Sequence, residues 1–222
     1  MIHSRRHGVL YWLAAVLACT AIQVSSAGAA DERPVVLFLG TSLTAGYGLP
    51  SDEAFPALLQ KRMDEAGLRY RVVNAGVSGD TSAGGLRRID WLLKMPVAVL
   101  VLELGANDML RGLAPAEMKE NLQKIIDRTR KAHPDVRVVV AGMRAMRNLG
   151  SGYADEFEAA YPALARQNDA VLIPFLLEGV AGKPRLNLAD DVHPNAEGQK
   201  RISAVVWPSL EPILRNPSAG SR

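Results

Sequence analysis

Five short runs of apolar, mostly branched residues recur along the chain: Val35–Leu39, Tyr70–Val73, Val97–Leu102, Val136–Ala141 and Ala170–Phe175. Continuous runs of this length, without polar alternation, suit strands buried on both faces of a parallel sheet. Amphipathic segments separate them. Pro115–Ala132 is the clearest, with Met118, Leu122, Ile125, Ile126 and Thr129 on one helical face and charges elsewhere. Its Pro115 suits a first helical turn. Glu53–Ala66, Ser82–Lys94, Tyr153–Gln167 and Asn195–Leu214 read as further helices, the last interrupted near Pro208. Strand alternating with helix in this way predicts one doubly wound α/β domain. Neither an internal repeat nor a linker divides it, so the domain is expected over residues 30–214. The Pro-, Ser- and Gly-bearing stretch 215–222 reads as a flexible tail.

The first 29 residues break this pattern. Arg5 and Arg6 precede an almost wholly apolar stretch, Val9–Val24, and small residues follow, including Ala27-Gly28-Ala29. That is the layout of a secretory signal peptide, expected over residues 1–29. The apolar stretch is short for a membrane span, which needs about 20 residues. Cleavage would leave no membrane span and would send the chain across an inner membrane, into a periplasm. Cys19 offers a second route, a lipoprotein cleaved before the cysteine, but bulky Leu17 in Val16-Leu17-Ala18 makes a poor lipobox.

Composition changes meaning once this segment is set aside. The precursor has 222 residues, 48% hydrophobic and 22% charged, which is ordinary for a globular protein and excludes a disordered or collagen-like chain. Removing residues 1–29 takes two of the 26 basic side chains and none of the 23 acidic ones. The net charge falls from +3 to +1 over 193 remaining residues. A near-neutral surface gives no footprint for nucleic acid. The single cysteine leaves with the segment, so disulfides and cysteine-rich zinc patterns are excluded. Of four histidines only His133 and His193 remain.

In an open α/β sheet, ligands bind outside the carboxyl ends of the strands. Here those ends carry Gly40-Thr41-Ser42-Leu43, then Asn74–Thr81, then Gly105-Ala106-Asn107-Asp108. The first lacks the lysine of a phosphate-cradling loop, no GxGxxG follows a strand, and Ser42 is not set in a GxSxG elbow. Two distant histidines do not make a zinc site. Acyl transfer by a serine remains. Its nucleophile needs a base, a group orienting that base, and donors for an oxyanion. Ser42 sits just past the first strand. Asp190 and His193 lie three residues apart in Asp190-Asp191-Val192-His193-Pro194, close enough for one turn to hold both. The Gly79 amide and the Asn107 side chain are available as oxyanion donors.

These four segments resemble the sequence blocks of the SGNH (GDSL) hydrolase superfamily, and within it the secreted bacterial arylesterase, acyl-CoA thioesterase and lysophospholipase group. The similarity spans roughly Val35 to Leu214 and rests on GTSLTAGYGL, VVNAGVSGDTSAGGL, LELGANDMLRG and DDVHPNAEGQ, in order and correctly spaced. It implies a flavodoxin-like three-layer α/β/α sandwich, a five-stranded parallel sheet in order 2-1-3-4-5, and no metal or organic cofactor. Position by position it implies Ser42, Asp190 and His193 as the catalytic residues. The oxyanion hole would be the Ser42 amide with Gly79 and Asn107. One position departs from the pattern: Thr41 stands where the usual block has aspartate, which keeps a hydrogen-bonding group and loses a charge.

The function implied is a secreted serine esterase, acting through an acyl-enzyme on aryl or short-to-medium acyl esters, and on acyl thioesters and lysophospholipids. A carbohydrate O-deacetylase of the same fold and a non-catalytic lipid- or glycan-binding module are the alternatives. Asp191 competes with Asp190 for the place beside His193. His133 is expected to close the helix before it, and Asp80, Asp108, Ser78 and Thr81 to fix their loops. Two long connections, Met143–Tyr153 and Leu176–Leu188, could line an acyl groove or be plain surface loops. Arg144 and Arg147 are candidates for an anionic head group or for solvated charges.

Overall fold

The computed structural model describes residues 33–216. The expected signal peptide with Cys19, and residues 217–222 of the expected tail, lie outside the described residues. Five strands form one parallel sheet: β1 (Val35–Gly40), β2 (Arg71–Gly76), β3 (Val97–Glu103), β4 (Arg137–Ala141) and β5 (Val171–Ile173). Their spatial order is β2-β1-β3-β4-β5, the order the resemblance implies. β1 lies near the middle and all six of its residues are buried, which is why its run is apolar at every position. The helices are α1 (Ser42–Ala45), α2 (Phe55–Glu65), α3 (Ser82–Leu92), α4 (Ala106–Leu110), α5 (Pro115–Ala132), α6 (Ser151–Gln167) and α7 (Ala196–Arg215). α3 packs on α5 and α5 on α6, while α2 packs on α7, giving a helical layer on each side of the sheet.

The departures from the periodicity have identifiable causes. β2 runs on through Asn74-Ala75-Gly76, poor strand formers, because the central strand supplies a partner at every step up to Gly40 opposite Gly76. β5 is confined to three residues at the sheet edge and stops before Pro174. α7 is continuous through Pro208 and Pro212 and shows no break. Both prolines lie on the solvent face, so the carbonyls they leave without a helical partner face water. Ile202, Val206, Leu210 and Ile213 hold the opposite face in the core. The short helices α1 and α4 carry no periodicity of their own and sit at the carboxyl ends of β1 and β3.

The site is positioned by this edge of the sheet. β1 delivers Ser42, β2 delivers the turn 77–80, and β3 delivers Asn107. The chain returns to the same edge before α7, where an antiparallel bridge between Asn187 and Pro194 closes the loop bearing Asp190 and His193.

Candidate active site

Ser42 is the first residue of α1, and Thr41 caps that helix by accepting the Leu43 N–H at 3.3 Å. This turn lifts Ser42 Oγ above the sheet edge, where His193 Nε2 stands 3.0 Å away. The other ring nitrogen, Nδ1, lies 2.7 Å from Asp190 Oδ2. Asp190 Oδ1 accepts the backbone N–H groups of Val192 and His193, each at 2.9 Å. Of the two adjacent aspartates it is therefore Asp190 that faces His193. Asp191 instead supplies a left-handed turn residue, at φ 57°. The backbone and ring N–H groups of His193, with the Val192 N–H, hold the Asp190 carboxyl down at about 2. An anionic Asp190 bound to Nδ1–H leaves Nε2 as the acceptor for the serine proton.

The three implied oxyanion donors lie on the segments that follow β1, β2 and β3 at one edge of the sheet. The Ser42 N–H lies in the first turn of α1, where amides have no helical acceptor. Gly79 has φ 78°, a conformation a side chain would strain. Its N–H has no hydrogen bond among the described residues, and its carbonyl is fixed by Arg111 Nη2 at 2.7 Å. Asn107 Nδ2 donates to the Asp80 carbonyl at 2.8 Å. That bond holds the Asn107 amide beside the Gly79 turn, with one N–H left to donate. Arg88 completes the frame by pairing with Asp80 at 2.8 Å and donating to the Gly40 carbonyl at 3.2 Å.

The flanking residues read from sequence fall into supporting places. Asp108 accepts the Ser82 N–H at 2.8 Å and the Ser82 hydroxyl at 2.6 Å, tying α4 to the start of α3. Thr81 caps α3 through the Gly84 N–H. His133 follows α5 as its C-cap and its Nε2 meets the Leu93 carbonyl at 3.0 Å, far from Ser42 in the fold. Arg144 stacks over Phe175 at 4.4 Å and reaches Glu178 at 3.6 Å, which bridges the two long connections. The Arg147 side chain lies outside the described part.

Three contributors were not legible. Glu103 ends β3 and is buried beneath the Ser42 turn, bonded to Thr41 and Thr44. Buried Gln199 accepts the Phe55 N–H at 2.8 Å and donates to the Leu43 carbonyl at 3.3 Å, locking α7 to the helix of Ser42. Tyr47 lies against the His193 ring, 4.4 Å between centroids. The signal for the first was present in LELGAND: a charge directly continuing a buried apolar run.

Similarity to known proteins agrees with this geometry. The family model of the GDSL-like Lipase/Acylhydrolase family matches residues 38–201. The chain is 41% identical over 197 residues to Esterase TesA of Pseudomonas aeruginosa, covering 88% of this chain and 96% of that one. It is 39% identical over 194 residues to Thioesterase 1/protease 1/lysophospholipase L1 of Escherichia coli K12, covering 86% and 89%. Among solved structures, the psychrotrophic esterase EstA from Pseudoalteromonas sp., inhibited by monoethylphosphonate, superposes with a TM-score of 0.77 at 32% identity. It covers 82% of this chain and 99% of that one. Sequence match, sheet order and relatives therefore agree, and the chain belongs to the GDSL-like Lipase/Acylhydrolase family as an SGNH carboxylic ester hydrolase.

Proposed function

We propose that this esterase works through an acyl-enzyme on Ser42. The observation that carries the reading is the continuous hydrogen-bonded line Ser42 Oγ, His193 Nε2, His193 Nδ1, Asp190 Oδ2, at 3.0 and 2.7 Å. Ser42 Oγ attacks the ester carbonyl carbon as its proton passes to His193 Nε2. The oxyanion accepts from the Ser42 and Gly79 amides and from Asn107 Nδ2. Collapse of the tetrahedral intermediate breaks the bond to the alcohol, or to the thiol of a thioester, and His193 returns the proton to it. Water, deprotonated by His193, then attacks the acyl carbon, and the acid leaves as Ser42 regains its proton.

The substrate class is an apolar acyl group, short to medium in length, on an aryl alcohol, thiol or lysophospholipid. The mouth of the site supports this over an acetylated sugar. Tyr47, Val77, Leu110, Leu113, Met146 and Val192 are exposed apolar residues on the segments that carry or adjoin the site. A sugar-binding mouth would present polar donors and acceptors there. Residues 1–29 support export of the mature domain, residues 30–214, to the periplasm.

The test is hydrolysis of p-nitrophenyl esters from acetyl to dodecanoyl, an acyl thioester, a lysophospholipid and an acetylated xylan, by wild type and Ser42→Ala. Wild type should prefer the longer acyl chains over acetylated xylan, and Ser42→Ala should lose activity on all of them. Retained turnover in Ser42→Ala, or preference for the xylan, overturns the reading.

A further inference from the structure

The mechanism above leaves unused a carboxyl group buried directly beneath the nucleophile. Glu103, the last residue of β3, is 1% exposed. Its neighbours are neutral donors, and they come from the two residues that bracket Ser42 and Leu43. Oε2 accepts the Thr41 N–H at 2.8 Å and the Thr44 hydroxyl at 2.7 Å. The Thr41 hydroxyl lies 3.1 Å from each carboxyl oxygen. Thr41 Oγ1 at the same time accepts the Leu43 N–H at 3.3 Å, so its hydroxyl passes a hydrogen bond from the turn to the carboxylate.

An uncompensated buried charge is costly, so a site that keeps one invites a functional explanation. Burial does push the Glu103 carboxyl up, to about 6, even against these donors. Yet a carboxylate is the side chain that only accepts, with two oxygens able to take several N–H and O–H groups at once. A glutamine would turn an NH2 group toward neighbours that are themselves donors. The backbone is shaped around the acid as well. A Cβ on Gly40 would lie 2.5 Å from Glu103 Oε2 and would also strike the Thr44 hydroxyl. From the opposite side, Asn74 Nδ2 donates to the Thr44 carbonyl at 2.8 Å.

We propose that Glu103 is the positioning residue of the nucleophile turn: its buried carboxylate clamps Thr41 and Thr44, and through them sets the direction of Ser42 Oγ and of the Ser42 N–H. The inference rests on the reading of Ser42 as nucleophile. Glu103 is sealed from the site by the turn itself, so it touches neither substrate nor the reacting atoms. Its loss changes the aim of Ser42 while the exposed apolar residues around the site stay in place. The effect therefore falls on kcat and on the chemical reactivity of Ser42, and spares KM.

The mature enzyme is tested for fluorophosphonate labelling rate and for kcat and KM on p-nitrophenyl butyrate, with folded fraction followed by circular dichroism. Glu103→Gln is expected to lower labelling rate and kcat by about 100-fold, the scale of a displacement near 1 Å, with KM held within about threefold. Thr44→Val, which deletes one clamp bond, is expected to lose about tenfold, and Thr44→Ser, which restores it, to return within about twofold of wild type. Folded variants Glu103→Gln and Thr44→Val that label and turn over like wild type overturn the proposal. So does a loss that only tracks the folded fraction. If Glu103→Gln does not fold, the Thr44 pair decides alone. Wild-type labelling at a residue other than Ser42 refutes the nucleophile reading itself, a failure distinct from failure of the clamp.

Discussion

Asp190 stands at the open rim of the site and Glu103 under its floor, and the two carboxyl groups are held in opposite directions. Asp190 is exposed, collects two backbone N–H groups and a ring N–H, and is drawn down to about 2. Glu103 collects a comparable set of donors, yet burial outweighs them and raises it to about 6. Hydrogen bonds alone therefore do not decide a carboxyl group's state; access to water does. The same contrast separates their proposed roles. The rim carboxylate orients a base that must exchange protons with substrate and water, so it belongs where solvent reaches. The floor carboxylate holds backbone, so it is sealed away, and the sealing is what raises its pKa.

The largest effect expected is at the rim. Asp190→Asn should lower kcat by about 10,000-fold with little change in KM, because an amide at this position favours the wrong tautomer of His193. Steady-state kinetics check this. Since Asp190 stays ionised down to about pH 2, the acid limb of the wild-type kcat profile should not come from Asp190. A limb that vanishes in an active Asp190→Asn variant would break the comparison. Next in size is the oxyanion side. Asn107→Ala should cost about 100- to 1,000-fold in kcat, or about 3–4 kcal/mol, measured on the same esters.

The floor shows itself in stability. Glu103 has its folded pKa raised, from 4.5 to about 6, so its contribution favours the native state below the lower value and is lost as pH rises through the higher one. The loss amounts to about 2 kcal/mol by pH 7.5. The wild-type melting midpoint should accordingly fall by about 4–8 °C more than that of Glu103→Gln between pH 4.5 and 7.5. Parallel curves for the two proteins would deny that burial raises the Glu103 pKa in the native state. The smallest effect concerns Thr41→Asp. An aspartate there faces Glu103, and the two carboxyls would share one proton, which preserves a hydrogen bond between them. Activity at pH 6 should stay within about tenfold of wild type, about 1.4 kcal/mol. It should decline toward pH 8.5, where the shared proton is lost and wild type is unaffected.

Much of this was legible in the sequence, for physical reasons that also mark where legibility ends. β1 and β3 are buried on both faces, so Val35–Leu39 and Val97–Leu102 declare themselves by composition alone. Ser42, Gly79 and Asn107 lie in short blocks that follow strand ends, and Asp190 and His193 in one short block before α7. β2 outran its apolar run because a neighbouring strand, not propensity, decided its length. α7 kept its course through Pro208 and Pro212 because both prolines face solvent, and only the packed structure shows which face that is. Glu103 shows in the sequence only as a charge that directly continues the apolar run of β3, which marks its burial and not its partners. Its role depends on Thr41, 62 residues away in sequence. Gln199 likewise reaches Leu43 across 156 residues. Contacts of that separation leave no local pattern.

The most direct test of the account is to mix the mature enzyme with p-nitrophenyl butyrate, quench in acid within the first turnover, and map the acylated peptide by mass spectrometry. The account predicts a burst of nitrophenol approaching one equivalent of enzyme, with the butyryl group on Ser42. Acylation at another residue would contradict it. So would turnover with neither a burst nor an adduct when butanoate release is shown to be the slower step.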